Sequence, residues 1–257
     1  MRDPGLNEAI QAVGGVTELA RRIGIAQPSV SNWERIPADR LIAVESATGI
    51  PRVRLRPDLF NGDASASVEE VDIERAQEYA LLATLLMRAP DKTLLARLAK
   101  LRGDPSPLGV AHAALGQAAA DASIGQVGRE YFDLFVGLGR GELLPYGSYY
   151  LTGFLNERPL ARLRDDLIAL GIERTEGNSE PEDHAATLCE IMSALASGRF
   201  PAPKNAERNL FEKHIAPWMG RLFADLETAE KANFYRYVGT LGRTFLDIET
   251  QAFALAD

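Results

Sequence analysis

Apolar residues in this chain recur at three- and four-residue intervals, and no alternating apolar–polar run longer than four residues offers a strand. After residue 70, Ile73, Ala76, Ala80, Leu81, Thr84 and Met87 fall at helical spacing. Further helices are predicted at about 91–102, 109–120, 127–136, 148–155, 159–170, 183–197, 207–227 and 230–252. In the last of these Phe234, Val238, Leu241, Phe245 and Ile248 form one stripe. Pro90, Gly103-Asp104-Pro105, Gly139 to Pro145, Gly171 and Gly198 to Pro203 punctuate the joins. The predicted fold class is all-α, a small helix-turn-helix bundle followed by a larger all-helical domain.

The small polar segment 61–70, NGDASASVEE, has no periodicity and reads as a linker with a flexible span of roughly 15–20 Å. Domains are therefore expected at 1–60 and 71–257. Charge divides along the same line. Residues 1–60 carry a net +1 and residues 61–257 a net −9, so the larger part should attract a basic partner. With 46% hydrophobic and 25% charged residues, and no apolar run near the length of a membrane span, the chain reads as soluble and cytoplasmic, without membrane insertion. The start, MRDPGLNEAI, lacks the basic and apolar regions of a secretory signal. Cys189 is the sole cysteine, which excludes an internal disulfide and a cysteine-rich zinc site.

Residues 14–37, GGVTELARRIGIAQPSVSNWERIP, have the layout of a helix-turn-helix. Thr17 is the expected cap of a first helix with Leu19, Ala20 and Ile23 on its buried face. Gly24 suits the positive φ of the turn, Ile25 is the apolar pin, and Pro28 fits the first turn of the second helix. Val30 and Trp33 face the core, which leaves Gln27, Ser29, Ser31 and Asn32 outside, with Arg35 just beyond. Amides of this kind bond adenine bidentately in the major groove, and serine hydroxyls suit phosphates or base edges. Arg52, Arg54 and Arg56, alternating with Val53 and Leu55, are either phosphate contacts or a solvated edge. Residues 5–60 resemble the Cro/CI-type repressor family, in its Cro-like antitoxin branch. That resemblance implies binding to operator DNA, in which a homodimer would double the contacts. Ala26 departs from the family, which usually offers Ser or Thr there as the cap of the recognition helix.

Glu180-Pro181-Glu182-Asp183-His184 places three carboxylates and a histidine in five positions. A zinc site would need about three protein ligands, and neither His112 nor His214 has a ligand-spaced partner. For catalysis, neither a nucleophile elbow nor a phosphate loop accompanies the carboxylates. Gly137-Leu138-Gly139-Arg140-Gly141 lacks the following Lys-Ser/Thr. No catalytic residue, metal or cofactor is assigned. Residue types alone favour a capping box, with Ser179 as N-cap and Glu182 at N3.

Context points elsewhere. The series Tyr131-x-x-Leu134-Phe135-x-Gly137, Pro145-Tyr146-x-Ser148, Glu180-Pro181-x-Asp183-His184 and His214-x-x-Pro217-Trp218 resembles the TorD/DmsD family of redox-enzyme maturation chaperones, over about 70–252. The resemblance implies an all-helical chaperone that binds the twin-arginine signal peptide of an apo-molybdoenzyme. By the family's motifs the peptide-binding residues would be Tyr131, Leu134, Phe135, Pro145, Tyr146, Glu180, Pro181, Asp183 and His184. Tyr131 and Tyr146 stand where some members carry tryptophan. A carboxylate takes a guanidinium bidentately, which a lysine cannot reproduce, and the aromatic residues would cover the apolar stretch that follows the arginines. Other readings stay open. The chain could be a plain maturation chaperone whose N-terminal module serves dimerisation or client contact, chiefly a transcription regulator, or a nucleotide-acting enzyme using the glycine loop.

Overall fold

A computed structural model describes residues 3–37, 40–56, 70–172, 180–200, 202–203 and 205–255. The chain divides into two compact units, Met1–Ser67 and Val68–Asp257. Apart from Glu70, which opens a helix, the linker expected at 61–70 lies outside the described residues.

The first unit contains α1 (Pro4–Ala12), α2 (Val16–Arg22), α3 (Gln27–Ser31), α4 (Leu41–Thr48) and α5 (Arg52–Leu55). Leu6, Ala9, Leu19, Val30, Ile36, Val44 and Leu55 close its core, with Ile23, Ile25 and Trp33 partly buried against them. The expected cap of α2 is displaced. Gly15 is the N-cap and no side chain closes the turn, so Thr17 lies inside the helix. Gly24 takes the positive φ of 72° that the turn requires.

The second unit runs through α6 (Glu70–Met87), α7 (Lys92–Leu98), α8 (Pro107–Asp121), α9 (Ile124–Tyr131), α10 (Gly147–Thr152), α11 (Arg158–Ala169), α12 (Ala185–Ala196), α13 (Ala206–Leu210), α14 (Met219–Thr228) and α15 (Tyr235–Leu255). Among the described residues there is no strand, only one isolated bridge between Tyr146 and His184. The central pair is α6 against α12, and α15 packs on α14 and α8.

Two predicted helices are interrupted by π-helical turns, at Phe132–Val136 and Phe211–Ile215, the second preceding a break before α14. A π-turn inserts one residue into the helical ladder and rotates the residues beyond it, which a 3.6-residue period does not register. The start of α9 lies three residues earlier than expected, fixed by a capping box between Ser123 and Gln126.

Two stripes also shift. On α6 the buried face is Ala76, Tyr79, Leu82, Leu85 and Leu86, whereas Ile73 and Met87 are exposed. The run from Tyr79 to Met87 is apolar enough to allow several registers, and packing against α12 selects one. On α15 Phe234, Val238, Leu241 and Phe245 are buried but Ile248 is exposed. Its place is taken by Glu249, 1% exposed, which accepts hydrogen bonds from Arg75 (2.7 and 2.8 Å) and from the Tyr79 hydroxyl (2.9 Å).

The start of α15 is held by a carboxylate from another helix. Glu130 accepts from the backbone N–H groups of Asn233 (2.8 Å), Phe234 (3.1 Å) and Tyr235 (2.6 Å). These donors lack helical partners, and a buried anion suits the positive end of a helix dipole. Charge-assisted bonds of this kind contribute about 1.5–3 kcal/mol each. Glu130→Ala should therefore lower the unfolding free energy by about 2–4 kcal/mol, given partial relaxation of the cap. A urea midpoint equal to wild type would show that the cap does not stabilise the unit.

Candidate functional site

The segment 180–184 is not the first turn of a helix. Helix α12 begins at Ala185, His184 is its N-cap, and the imidazole Nδ1 accepts from the Ala186 N–H at 3.1 Å. Glu182 is therefore not an N3 residue, and Ser179 lies outside the described residues. The segment instead docks on the residues that begin α10. Gly147 N donates to the Asp183 carbonyl (2.9 Å), and Ala185 N donates to the Pro145 carbonyl (2.8 Å). Ser148 N donates to Asp183 Oδ2 at 2.6 Å. Asp183 thus caps a helix that starts 36 residues before it. A side chain on Gly147 would put a Cβ 3.0 Å from Trp218 Nε1, so glycine lets the indole close over the start of α10. The indole N–H donates to the His214 carbonyl at 2.6 Å.

Each charged residue of the segment has a distinct partner. Glu180 accepts from the Tyr146 hydroxyl at 2.5 Å, and burial together with that carboxylate raises the Tyr146 pKa. The same charge reaches Tyr131, whose hydroxyl is pushed up to about 12, chiefly by burial. Glu182 Oε2 accepts from Arg164 Nε (2.9 Å) and Nη2 (2.7 Å). The rings of Tyr146 and His184 meet edge to face at 5.0 Å, with half-buried Pro181 beside them in sequence. Among the described residues no group of three or more His, Cys, Asp or Glu side chains is arranged to hold a metal.

Four of the expected peptide contacts, Leu134, Pro145, Asp183 and His184, are buried. Leu134 is fully buried in the core, and Asp183 is 3% exposed with one oxygen on the α10 backbone. Leu134 is therefore a core residue, and Asp183 serves first as a cap while bordering a cavity. Pro145 is likewise buried and serves through its carbonyl. Tyr131 and Phe135 are half-buried, 5.2 Å apart, and both rings pack on Tyr235. The Tyr131 hydroxyl donates to the Met87 carbonyl at 2.7 Å. Tyr146, Glu180 and Pro181 remain at the surface of the cluster.

The 180–184 segment separates two cavities. On one side, about 470 Å³ lies between α10, α11 and Trp218, bordered by Asp183, Arg162, Asp166 and His214. There Asp166 accepts from His214 Nε2 at 2.8 Å, and this contact with Lys213 holds its carboxyl below the usual range. On the other side, about 530 Å³ lies between α11 and α12. Leu167, Ile168, Ile172, Ile191, Leu195 and Phe200 make its apolar wall, and Glu180, Glu182 and Glu190 its acidic rim. Residues 173–179, which connect Ile172 to Glu180, lie outside the described residues. Sequence reasoning missed this wall. The available signal was Ile168, an isoleucine on the outer side of a helix whose buried face is Leu160, Leu163 and Leu167.

In the first unit Gln27, Ser29, Asn32 and Arg35 are exposed and Ser31 is half-exposed, with Gln27 Nε2 donating to Ser31 Oγ at 2.7 Å. Helix α3 is only five residues long, and Ala26 gives it no side-chain cap. The alternating arginines are not a row of phosphate contacts. Arg56 is buried and donates to the Ile36 carbonyl, Arg52 pairs with Glu45 (3.0 Å) and Arg54 with Glu8 (2.7 Å). Glu18 is lowered to about 2 by hydrogen bonds from Arg21 and Arg22.

Burial lowers the His184 pKa, and it outweighs the opposing charges of Glu180 and Asp183. A histidine with a depressed folded pKa contributes stability above its unfolded pKa of about 6.5, and this is lost as pH falls below that value. Protonation would also remove the Nδ1 acceptor. Between pH 7.5 and 5.5 wild type should lose more stability than His184→Asn, in which the asparagine keeps a capping oxygen. Parallel pH slopes of the denaturation midpoint would rule out His184 as the group responsible. His112, raised by its hydrogen bond to Glu78, acts in the opposite sense in both proteins and cancels in the comparison.

Comparison with known proteins follows the same division. The nitrate reductase delta subunit family matches residues 102–224, and the bacterial toxin YdaS family matches residues 6–63. The N-terminal match is thus named for a toxin and not for an antitoxin. Among curated relatives, a chaperone protein TorD of Aliivibrio fischeri is 26% identical over 54% of this chain and 68% of its own length. A chaperone protein TorD of Vibrio cholerae is 29% identical over 37% of this chain, and the match spans about half (47%) of that relative's length. A solved chain from Archaeoglobus fulgidus, provisionally described as a redox enzyme maturation protein, is 19% identical over 67% of this chain and 93% of that one. Its TM-score of 0.44 adds no weight. Residues 102–224 are thus similar to the nitrate reductase delta subunit family and to TorD chaperones, and residues 6–63, with their helix-turn-helix layout, to the bacterial toxin YdaS family.

Proposed function

We propose that this protein is a redox-enzyme maturation chaperone. Its second unit binds the twin-arginine signal peptide of an apo-molybdoenzyme, and its first unit binds operator DNA. The observation that carries the peptide reading is the cavity between α11 and α12, apolar in its wall and acidic at its rim. A twin-arginine peptide has the matching order, two guanidiniums and then an apolar stretch. Carboxylates take guanidinium with fork geometry, and the apolar wall takes the side chains that come after the arginines. The net charge of −9 over residues 61–257 speeds encounter with a basic peptide. The TorD names of the curated relatives support the chaperone role.

Calorimetric titration with a twin-arginine peptide should give saturable binding, weakened about tenfold in its twin-lysine variant. That factor corresponds to the loss of one charge-assisted hydrogen bond, about 1.5 kcal/mol. Glu180→Gln should weaken the arginine peptide similarly and narrow its advantage over the lysine peptide. Equal affinity for both peptides would defeat the guanidinium reading. Asp183→Ala is a poor probe, because it removes the cap of α10.

For the first unit, exposed Gln27, Ser29, Asn32 and Arg35 support base and phosphate contact. Because Arg21, Arg22, Arg52 and Arg54 hold carboxylates, phosphate neutralisation is limited and the salt dependence of binding should be shallow. Gln27→Ala should cost about 1–3 kcal/mol at one base position, read by competition among operator variants. Peptide occupancy is proposed to change operator affinity, which requires unequal affinity for two states. Identical operator isotherms with and without saturating peptide would end that part of the reading.

A further inference from the structure

One cation of the chain already occupies the rim of the α11–α12 cavity. Arg164 projects from α11 one turn before Leu167 and Ile168, and all three line the same space. Its guanidinium gives two hydrogen bonds to a single oxygen of Glu182. The layout, a guanidinium followed by apolar side chains, is the layout of the ligand itself.

Given that this cavity takes the twin-arginine peptide, we propose that Arg164 is an internal stand-in for a peptide arginine, displaced from Glu182 when the peptide binds. The asymmetry of the pair carries the argument. The Glu182 side chain is 15% exposed and that of Arg164 is 46% exposed. A mostly buried carboxylate is costly to leave without a cation, whereas a half-solvated guanidinium moves into water at little cost. Glu182 therefore exchanges one guanidinium for another and does not stand empty. Lysine restores the charge but not the fork, so the exchange itself selects arginine over lysine. Among the described residues Glu180, Glu182 and Glu190 line the cavity together with Arg164, so the rim is acidic where the incoming guanidinium would take the place of Arg164.

The test is titration of wild type, Arg164→Gln, Glu182→Gln and the double variant with the twin-arginine peptide and its twin-lysine form. Helical content and urea midpoint are recorded for each protein. Removing an internal competitor held by a partly exposed ion pair should tighten the arginine peptide about two- to fivefold. The lysine peptide should gain less, and the gain should vanish in the Glu182→Gln background. Arg164→Lys, which keeps the charge without the fork, should fall between wild type and Arg164→Gln. If wild type binds the peptide and Arg164→Gln binds it no better, the stand-in is refuted while the peptide site survives. A gain that persists without Glu182 refutes it as well, because the effect would then be bulk charge. Failure of every variant to bind removes the peptide site and the stand-in together.

Discussion

The buried carboxylate of Asp183 at the N-terminus of α10 is the contact on which the rest of the site depends. Its bond to Ser148 N, with the two backbone bonds beside it, fixes residues 180–184 against a segment far away in sequence. With Asp183 turned inward, Glu180 and Glu182 lie on the side of the second cavity. With His184 next in line, the imidazole becomes the cap of α12. One short segment thus closes two helix ends. Asp183 Oδ1 is buried without a partner among the described residues, so this anchor retains an unsatisfied acceptor. A buried acceptor left unpaired costs about 1–3 kcal/mol. The backbone contacts on either side must offset that cost for the segment to stay docked.

The same device recurs elsewhere in the unit, with different satisfaction. Glu130 receives three backbone N–H groups at the start of α15, and Glu249 near its end receives Arg75 and Tyr79. A long helix is therefore pinned at both ends by buried carboxylates while its middle packs by shape. Gly239 and Gly242 matter there, since a Cβ on Gly242 would lie 2.3 Å from the ring of Phe223. Apolar burial supplies most of the stabilisation, and the paired carboxylates choose which helix end meets which neighbour.

Much of this was legible from period and punctuation. The helices, the helix-turn-helix and the series of motifs from Tyr131 to Trp218 all follow from local residue order. What was not legible is long-range. Asp183 and Glu130 cap helices 36 and 105 residues away, and a capping carboxylate looks in sequence like any acidic residue. Leu134 stands in a motif with surface residues, yet it points into the core from within a π-turn that changes the phase of the helix. The cavity wall escaped notice because it takes residues from two helices separated by the 180–184 segment. Each half alone reads as an ordinary amphipathic face.

The arginine–carboxylate pairs of the molecule separate by burial into those that can exchange and those that cannot. Arg75 meets Asp72, Glu207 and Glu249, and with its side chain 18% exposed and Glu249 at 1% both members of the closest pair are withdrawn from water. Breaking such a pair leaves an uncompensated buried charge and costs about 3–5 kcal/mol, so it acts as a fixed strut. Arg21 and Arg22 on Glu18 join residues three or four apart on one helix face and contribute tenths of a kcal/mol. Arg164–Glu182 belongs to neither group, and although Arg243–Glu227 is nearly as asymmetric at 44% and 21%, only the former lines the α11–α12 cavity. Its acceptor is sheltered enough to demand a cation, and its donor is solvated enough to leave. Only a pair with that asymmetry can hold a site ready without closing it to a ligand of the same chemistry.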